Sequence, residues 1–215
     1  MSGIMLAFAG GKSATVPTVG SALGGGFFAG QISTAGNGIA DYNLIIGPVA
    51  SAESSKAYKN ANTATAGADS VINGPQNTAD IVADGNSTVY PAGHFCNDLV
   101  TGGFSDWYMP AKNELEVCYY NLKPTTASNN TASGINANAV PARASNYTAG
   151  TPAQTSAVDF QSGGAEDFSP NQYWSSTESS ATQANSQNFT DGYQIPAGYT
   201  KTYALRVRAV RRVAV

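Results

Sequence analysis

The residues that could do chemistry are few, and their spacing decides what is on offer. The single histidine, His94, lies within an apolar stripe, and no Gly-x-Ser-x-Gly turn anywhere presents a nucleophile to it. Without an activated nucleophile and an orienting acid, a histidine is a packing or surface residue and not the base of a triad. Two acidic pairs, Glu114/Glu116 and Glu166/Asp167, are the remaining candidates for acid–base work. Paired carboxylates catalyse only where their geometry converges, and neighbours at these spacings need not converge. Cys96 and Cys118 have neither a CxxC spacing nor a cluster of metal-type ligands around them, so we read both as buried free thiols. Four Asn-x-Ser/Thr triplets, at Asn86, Asn129, Asn146 and Asn188, are the composition of an Asn- and Thr-rich chain. The expectation is a protein that is not an enzyme, with no catalytic residue, no metal site and no cofactor.

Composition narrows the partners. Only 12% of the 215 residues are charged, against about a quarter in ordinary soluble proteins. A net charge of -3 with a pI near 5.0 offers no broad attraction to phosphate, and the basic residues cluster at the C-terminal end, so nucleic acid is not expected as a partner. No segment approaches the roughly twenty apolar residues of a membrane span. The first ten residues, Met1 to Gly10, have an apolar run but no positive flank, and nothing is expected to direct secretion. This length supports one sizeable core plus an extension.

Around these residues the chain must build elements. Gly24-Gly-Gly-Phe-Phe-Ala-Gly-Gln-Ile32 and Tyr42-Asn-Leu-Ile-Ile46, separated by Gly, Asn and Asp, predict a β-hairpin with no evident pairing partner. From Ala50 to Tyr90 the small polar residues predict loops with one short strand. Ala92, Phe95, Cys96 and Leu99 form an i, i+3, i+4, i+7 stripe behind Pro91, predicting a helix closed by Gly102-Gly103. A second stripe at Leu115, Cys118, Tyr119 and Leu122 predicts a helix with Glu114 in its first turn and Pro124 as its stop. Thr125 to Asn171 lacks periodicity and is read as an ordered excursion pinned by Tyr147, Phe160 and Phe168. At the end, Leu205, Val207 and Ala209 alternate with Arg206 and Arg208, and the phase shifts at Val210 as a β-bulge in one half-buried strand would produce.

Three blocks carry a resemblance: Gly102-Gly-Phe-Ser-Asp-Trp-Tyr-Met-Pro-Ala-Lys-Asn-Glu-Leu115, Tyr173-Trp-Ser-Ser-Thr-Glu178, and Val207-Arg-Ala-Val-Arg-Arg212. Together they resemble the lectin-like domains of unknown function found in bacterial collagen-like adhesins and many phage virion proteins. Those domains share the C-type-lectin-like fold with the sulfatase-modifying-factor superfamily. The resemblance covers roughly residues 88–215 and implies an α+β fold of small twisted antiparallel sheets, two short helices and long loops. The domain reading is then 1–50 as a β-rich docking or assembly segment, 51–87 as a polar connection, and 88–215 as the lectin-like domain. Trp107, Tyr173, Trp174, Leu115, Cys96 and Cys118 are the expected core, with each indole N–H needing an acceptor. Asp106 is read as an acceptor for backbone N–H groups of its own turn.

The resemblance places function on the loop face after Tyr173-Trp-Ser-Ser-Thr177. Relatives tend to carry an aromatic where this chain has Asn185, and Ser, Asn and Tyr favour adaptable contacts. The candidate ligand-binding residues are Thr182, Gln183, Asn185, Gln187, Asn188, Asp191 and Tyr193. The calcium loops of sugar-binding C-type lectins, Glu-Pro-Asn or Gln-Pro-Asp followed by Trp-Asn-Asp, are missing, and Ser169-Pro-Asn171 lacks the carboxylate a hard cation needs. Two functional expectations follow. One is a phage virion protein in a tail fibre, neck or capsid appendage, displaying the domain to host-envelope glycans or proteins. The other is a decoration or cement protein docked on other virion proteins through Phe27 to Ile32 and Leu44 to Ile46. A homotrimer would suit a fibre or appendage, since such assemblies use closed cyclic symmetry.

Overall fold

The computed structural model describes residues 15–215; the reading of Met1 to Gly10 lies outside them. In chain order the elements are β1 (Ala22–Leu23), β2 (Gly26–Ile32), β3 (Tyr42–Ile46), α1 (Val49–Ala52), β4 (Glu53–Ala57), α2 (Gly74–Asp84), α3 (Pro91–Asn97), α4 (Lys112–Leu122), β5 (Ala139–Val140), β6 (Gln172–Ser180), β7 (Gln183–Asn188), β8 (Tyr199–Thr200), β9 (Ala204–Arg208) and β10 (Val210–Ala214). The result is an α+β protein with curled, mainly antiparallel sheets and few, short helices.

The predicted hairpin forms, with Phe27 opposite Ile46 and Ile32 opposite Tyr42. Its partner is the C-terminus: β10 adds to β3, setting Val210 against Ile46 and Ala214 against Tyr42. Phe28, Ile32, Leu44, Ile45 and Ile46 are thereby buried in the core. This corrects the idea that they form a docking motif, because their apolar surface is already covered by the chain's own strands and helices.

The C-terminal bulge is also corrected. Residues 204–214 form two strands in two different sheets: β10 joins β1-β2-β3, while β9 sits between β4 and β6 in the order β4-β9-β6-β7-β8. The crossing is at Ala209, whose N–H donates to Ala52 O (2.9 Å) and whose carbonyl accepts from Gly47 N–H (2.9 Å). A one-residue change of phase looks the same in sequence whether a strand bulges or changes sheet.

Helices α3 and α4 lie where their stripes put them, with Ala92 and Cys96 buried on one and Leu115, Cys118, Tyr119 and Leu122 on the other. Helix α3 stops at Asn97, before Gly102-Gly103, which instead make the turn joining Thr101 to Phe104. The stretch read as a loop-rich connection holds β4, paired along its length with β9, and the eleven-residue α2. Asn73 caps α2 by accepting from Gln76 N–H, and Thr78 on its buried side bonds the backbone of Met109. The excursion after α4 is ordered, with Tyr147, Phe160 and Phe168 all buried as expected.

Two apolar cores result, and β6 runs between them. Tyr173 faces the first, with Leu115, Cys118, Phe168 and Phe189. Trp174, the next residue, faces the second, which also holds Trp107, Cys96, Tyr58 and Val207. Alternation along a strand puts neighbours on opposite faces. Both tryptophans thus share a core, and both indoles find acceptors: Trp107 donates to Phe104 O (3.2 Å) and Trp174 to Lys56 O (3.0 Å). Asp106 plays a different part from the one read in sequence, because its carboxylate takes the Arg211 guanidinium through both oxygens (2.7 and 2.8 Å) and so ties the Gly-Gly-Phe-Ser-Asp-Trp turn to β10. That guanidinium holds the Asp106 carboxyl below its ordinary value.

Candidate functional site

The hairpin of β6 and β7 carries most of the residues singled out for binding. Its tip is the two-residue turn Ala181-Thr182, with Ser180 opposite Gln183. Buried Lys201 holds that tip from beneath. Its backbone N–H donates to Thr182 O (3.1 Å), and its Nζ donates to Ala181 O (3.1 Å) and to Thr63 O (2.8 Å) while pairing with Glu178 (3.1 Å). Burial lowers the Lys201 pKa, and the Glu178 carboxylate pulls against that shift.

The polar side chains of the Tyr-Trp-Ser-Ser-Thr-Glu block fix the hairpin's root. Ser175 Oγ donates to Asn185 O (3.1 Å), and Ser176 Oγ accepts from Asn77 Nδ2 of α2 (3.2 Å). Thr177 Oγ1 accepts from Lys112 N–H (3.0 Å), serving the first turn of α4, and donates to Ser70 O (2.8 Å). Glu178 accepts from Thr65 N–H (2.6 Å). Each hydroxyl or carboxylate in the block therefore joins β6 to a different element. Unmet buried polar groups are costly, so these positions tolerate little change.

The structure places the seven candidate residues unequally. Thr182 is exposed at the tip, and Gln183 is half-buried beside it, donating weakly to Gly198 O (3.4 Å). Asn185 is half-buried and donates across the hairpin to Thr177 O (3.1 Å). Asn188 accepts from Thr190 N–H (2.7 Å) and Asp191 from Tyr193 N–H (3.0 Å), two side chains that shape the turn after β7. Tyr193 is half-buried at its end. Gln187 is a correction: it is 1% exposed, on the Tyr173 face of β7, and donates to Tyr147 OH (3.2 Å) and Gly192 O (3.2 Å). A glutamine in an alternating polar strand reads as solvated, but the excursion folds over it.

Under Gln187 lies a buried network centred on Glu116. That carboxylate accepts from Tyr147 OH (2.7 Å), Arg143 Nε (3.0 Å), Arg143 Nη2 and Asn136 Nδ2 (2.5 Å), locking α4 to the excursion. Glu114, two residues earlier, faces another set: Tyr108 OH (2.5 Å), Arg212 Nε (2.9 Å) and the N–H groups of Ala111 (2.8 Å) and Gly74 (3.2 Å). Burial raises the Glu114 pKa, and the charge of Arg212 opposes the rise. Glu166 accepts from Arg208 Nη2 (2.7 Å) and Val49 N–H (2.8 Å), whereas Asp167 accepts from Gly163 N–H (2.8 Å). Neither acidic pair converges on a shared point. His94 bonds Gly85 O through Nε2 (2.7 Å) and approaches Asp98 through Nδ1 (3.5 Å), bracing α3. Cys96 and Cys118 are buried free thiols in separate cores, and burial pushes both thiols far up. Among the described residues no group of three or more His, Cys, Asp or Glu side chains converges as a metal site would.

Sequence reasoning missed Lys201 and Arg208. Lys201 carries no local signal, and Arg208 reads as one of an exposed alternating pair, yet its guanidinium is fully buried between Glu53 and Glu166. The side-chain partners of Lys201 lie between 20 and 138 positions away and those of Arg208 between 41 and 161, beyond the reach of any local pattern.

Comparison with known proteins gives one match: residues 58–211 fit the family model of the Lcl C-terminal domain. No curated protein and no solved structure matches the chain. The matched span begins at the end of β4, well before residue 88, and takes in α2, both tryptophans, both cysteines and the whole β6–β7 hairpin. A match over most of the chain, covering the elements that build and hold this site, makes the protein a member of the Lcl C-terminal domain family.

Proposed function

We propose that this chain is a non-enzymatic bacteriophage virion protein whose domain has the C-type-lectin-like fold and presents the β6–β7 hairpin face to the host envelope, in a tail fibre, neck or capsid appendage. The observation that carries the reading is the construction of that hairpin. Its tip is polar, with Thr182 exposed and Gln183 half-buried, while Ser176, Thr177 and Glu178 tie β6 to α2, α4 and the 60s loop and Lys201, just after β8, holds the tip. A rigid scaffold holding a polar loop is the usual construction of a recognition surface. Membership of the Lcl C-terminal domain family and a surface with only 12% charged residues support the same reading. The candidate acids and the histidine are all engaged in bracing contacts, which supports a binding role over a catalytic one. Other virion proteins, and a second and third copy of the chain, are the partners such an appendage needs.

The test is binding of labelled purified protein to host cells, beside a Thr182→Ala/Gln183→Ala/Tyr193→Ala variant. Thr182 is exposed and Gln183 and Tyr193 are half-buried, so folding is expected to change by no more than about 0.5 kcal/mol at the first and by about 1 kcal/mol at each of the others. Loss of cell binding by a variant that circular dichroism shows to be fully folded at the assay temperature supports the reading, and equal binding by both proteins removes this face from it.

A further inference from the structure

Two Asn-Gly pairs occur in the chain, Asn37-Gly38 and Asn73-Gly74, and the fold gives them opposite surroundings. Glycine has no Cβ to keep its nitrogen away from the preceding side chain. An Asn-Gly pair can therefore cyclise on itself, the glycine nitrogen attacking the asparagine Cγ while ammonia leaves. Three things decide the rate: whether that nitrogen is free, whether the carboxamide is folded back over it, and whether donors meet the charge that gathers on Oδ1.

Asn73-Gly74 fails on the first. Gly74 is the buried first residue of α2, and its N–H donates to Ile72 O (3.1 Å) and to the Glu114 carboxylate (3.2 Å).

The loop between β2 and β3 meets all three. Asn37 and Gly38 are both exposed. Gly38 has a φ of +79° with nothing within 4 Å of where a Cβ would stand, and its N–H has no hydrogen-bond partner among the described residues. Asn37 Oδ1 accepts from the Ile39 N–H (3.0 Å). The ring closed by that bond contains both Asn37 Cγ and Gly38 N, so it curls the carboxamide towards the nitrogen that must attack. A backbone N–H only donates, which also fixes which end of the amide is the oxygen. The same Oδ1 accepts from Ser33 Oγ (2.9 Å), which in turn accepts the Asn37 N–H (3.3 Å). Ser33 is fully buried and held at both ends by Asn138, through its own N–H (2.8 Å) and its carbonyl (2.8 Å). Two fixed donors at 2.9 and 3.0 Å on one carbonyl oxygen are placed to stabilise an oxyanion there.

We propose that Asn37-Gly38 is a self-modification site, with Gly38 N as nucleophile and the Ser33 hydroxyl and Ile39 N–H as the oxyanion hole. The bond from Gly38 N to Asn37 Cγ forms, the Cγ–Nδ2 bond breaks, the Gly38 proton passes through solvent to the departing nitrogen, and ammonia leaves a succinimide. Water then opens the ring at either carbonyl, giving aspartate or isoaspartate at position 37. Nothing is oxidised or reduced. Each event adds one negative charge to a chain whose net charge is -3, and the isoaspartate form routes the backbone of the β2–β3 loop through a side chain.

The experiment incubates the full chain in mildly alkaline buffer, folded and in urea, and follows both asparagines by peptide mass spectrometry with isoaspartate scored separately. Hydroxylamine, which cuts the backbone wherever a succinimide has formed, gives a second readout. In urea the two pairs should react at similar rates. Folding should speed Asn37 and nearly silence Asn73, so that hydroxylamine cuts the folded chain after Asn37 alone. Ser33→Ala removes one of the two donors; such a loss costs about 10²–10³ in rate in a closed active site, and about tenfold is expected on this exposed loop. The same variant in urea should match the parent, because no donor is in place there, and circular dichroism checks that the variant is folded in buffer. An Asn37 that reacts no faster folded than in urea, a folded Asn73 that keeps pace with it, or a folded Ser33→Ala chain that reacts as fast as the parent overturns the proposal. Should Ser33→Ala not fold, the folded and unfolded rates of the parent decide alone.

Discussion

Replacing Arg208 with methionine preserves most of the side-chain volume and removes the charge. The guanidinium donates to the carbonyls of Gly47 (2.9 Å), Glu166 (3.0 Å) and Asp167 (3.3 Å) and to the Glu166 carboxylate (2.7 Å), and it stands 3.8 Å from Glu53. Without it three carbonyls lose a donor, and buried Glu53 keeps only the Arg206 contact as a charge partner. Breaking a buried pair from one side costs roughly 3–5 kcal/mol, a large part of a total stability of about 5–15 kcal/mol. At roughly 2–4 °C per kcal/mol for a chain of this size, the midpoint should fall by about 6–20 °C. The loss also has a pH signature. Burial raises the Glu53 pKa above its ordinary 4.5, against the pull of Arg208. A carboxyl with a raised folded pKa binds its proton more readily when folded, so its contribution to stability declines as pH rises from 4.5 through the folded value. Removing Arg208 raises that folded value further and enlarges the decline. The deficit of the variant should therefore be greater at neutral pH than in mildly acidic buffer, because a carboxyl with a raised pKa takes up its proton as the pH falls towards the ordinary carboxylate range. Urea titrations followed by tryptophan fluorescence at both pH values measure this, and the Glu53→Gln/Arg208→Met double variant should recover part of the loss. A deficit under about 1 kcal/mol at neutral pH, or an equal one at both, would refute the reasoning.

Other expectations follow from single positions. Gly102 has a φ of +61°, and an added Cβ would meet Gly25 O at 2.3 Å, whereas Gly103 at +83° has open space around it. In thermal melts Gly103→Ala should cost about 1 kcal/mol, and Gly102→Ala clearly more, because there the opposing atom is backbone. Cys96 and Cys118 should resist an aromatic disulfide reagent in the native state and react fully in denaturant, since both are buried and their thiolates are disfavoured; reaction of either at the rate of a free thiol in native buffer would contradict the burial. Trp174→Ala should lose about 3–5 kcal/mol by removing one of the two tryptophans of the second core and the donor to Lys56 O. Chemical denaturation reads it directly, and a loss below about 1 kcal/mol would mean that the core closes over the gap.

Wherever one face of an element decided its fate, that element could be read from the residues alone. The stripes of α3 and α4, each behind a proline, repeat at the helical period, and the β2–β3 hairpin alternates between turn residues. The two tryptophans and the pins of the excursion were legible because large aromatics have few places to go but inside. Helix α2 was harder: its buried side holds Asn77, Thr78 and Ile81, so the apolar period is masked, although Asn73 followed by Pro75 was a usable start signal. Tertiary structure alone decided the rest. Arg208 and Gln187 sit in strands whose alternation looks solvated; Glu53 and Glu166 bring the first inside, and the fold of the excursion covers the second. The strand change at Ala209 and the parallel pairing of β6 with β9 depend on which distant strands pair, and a local pattern of side chains contains no term for that choice.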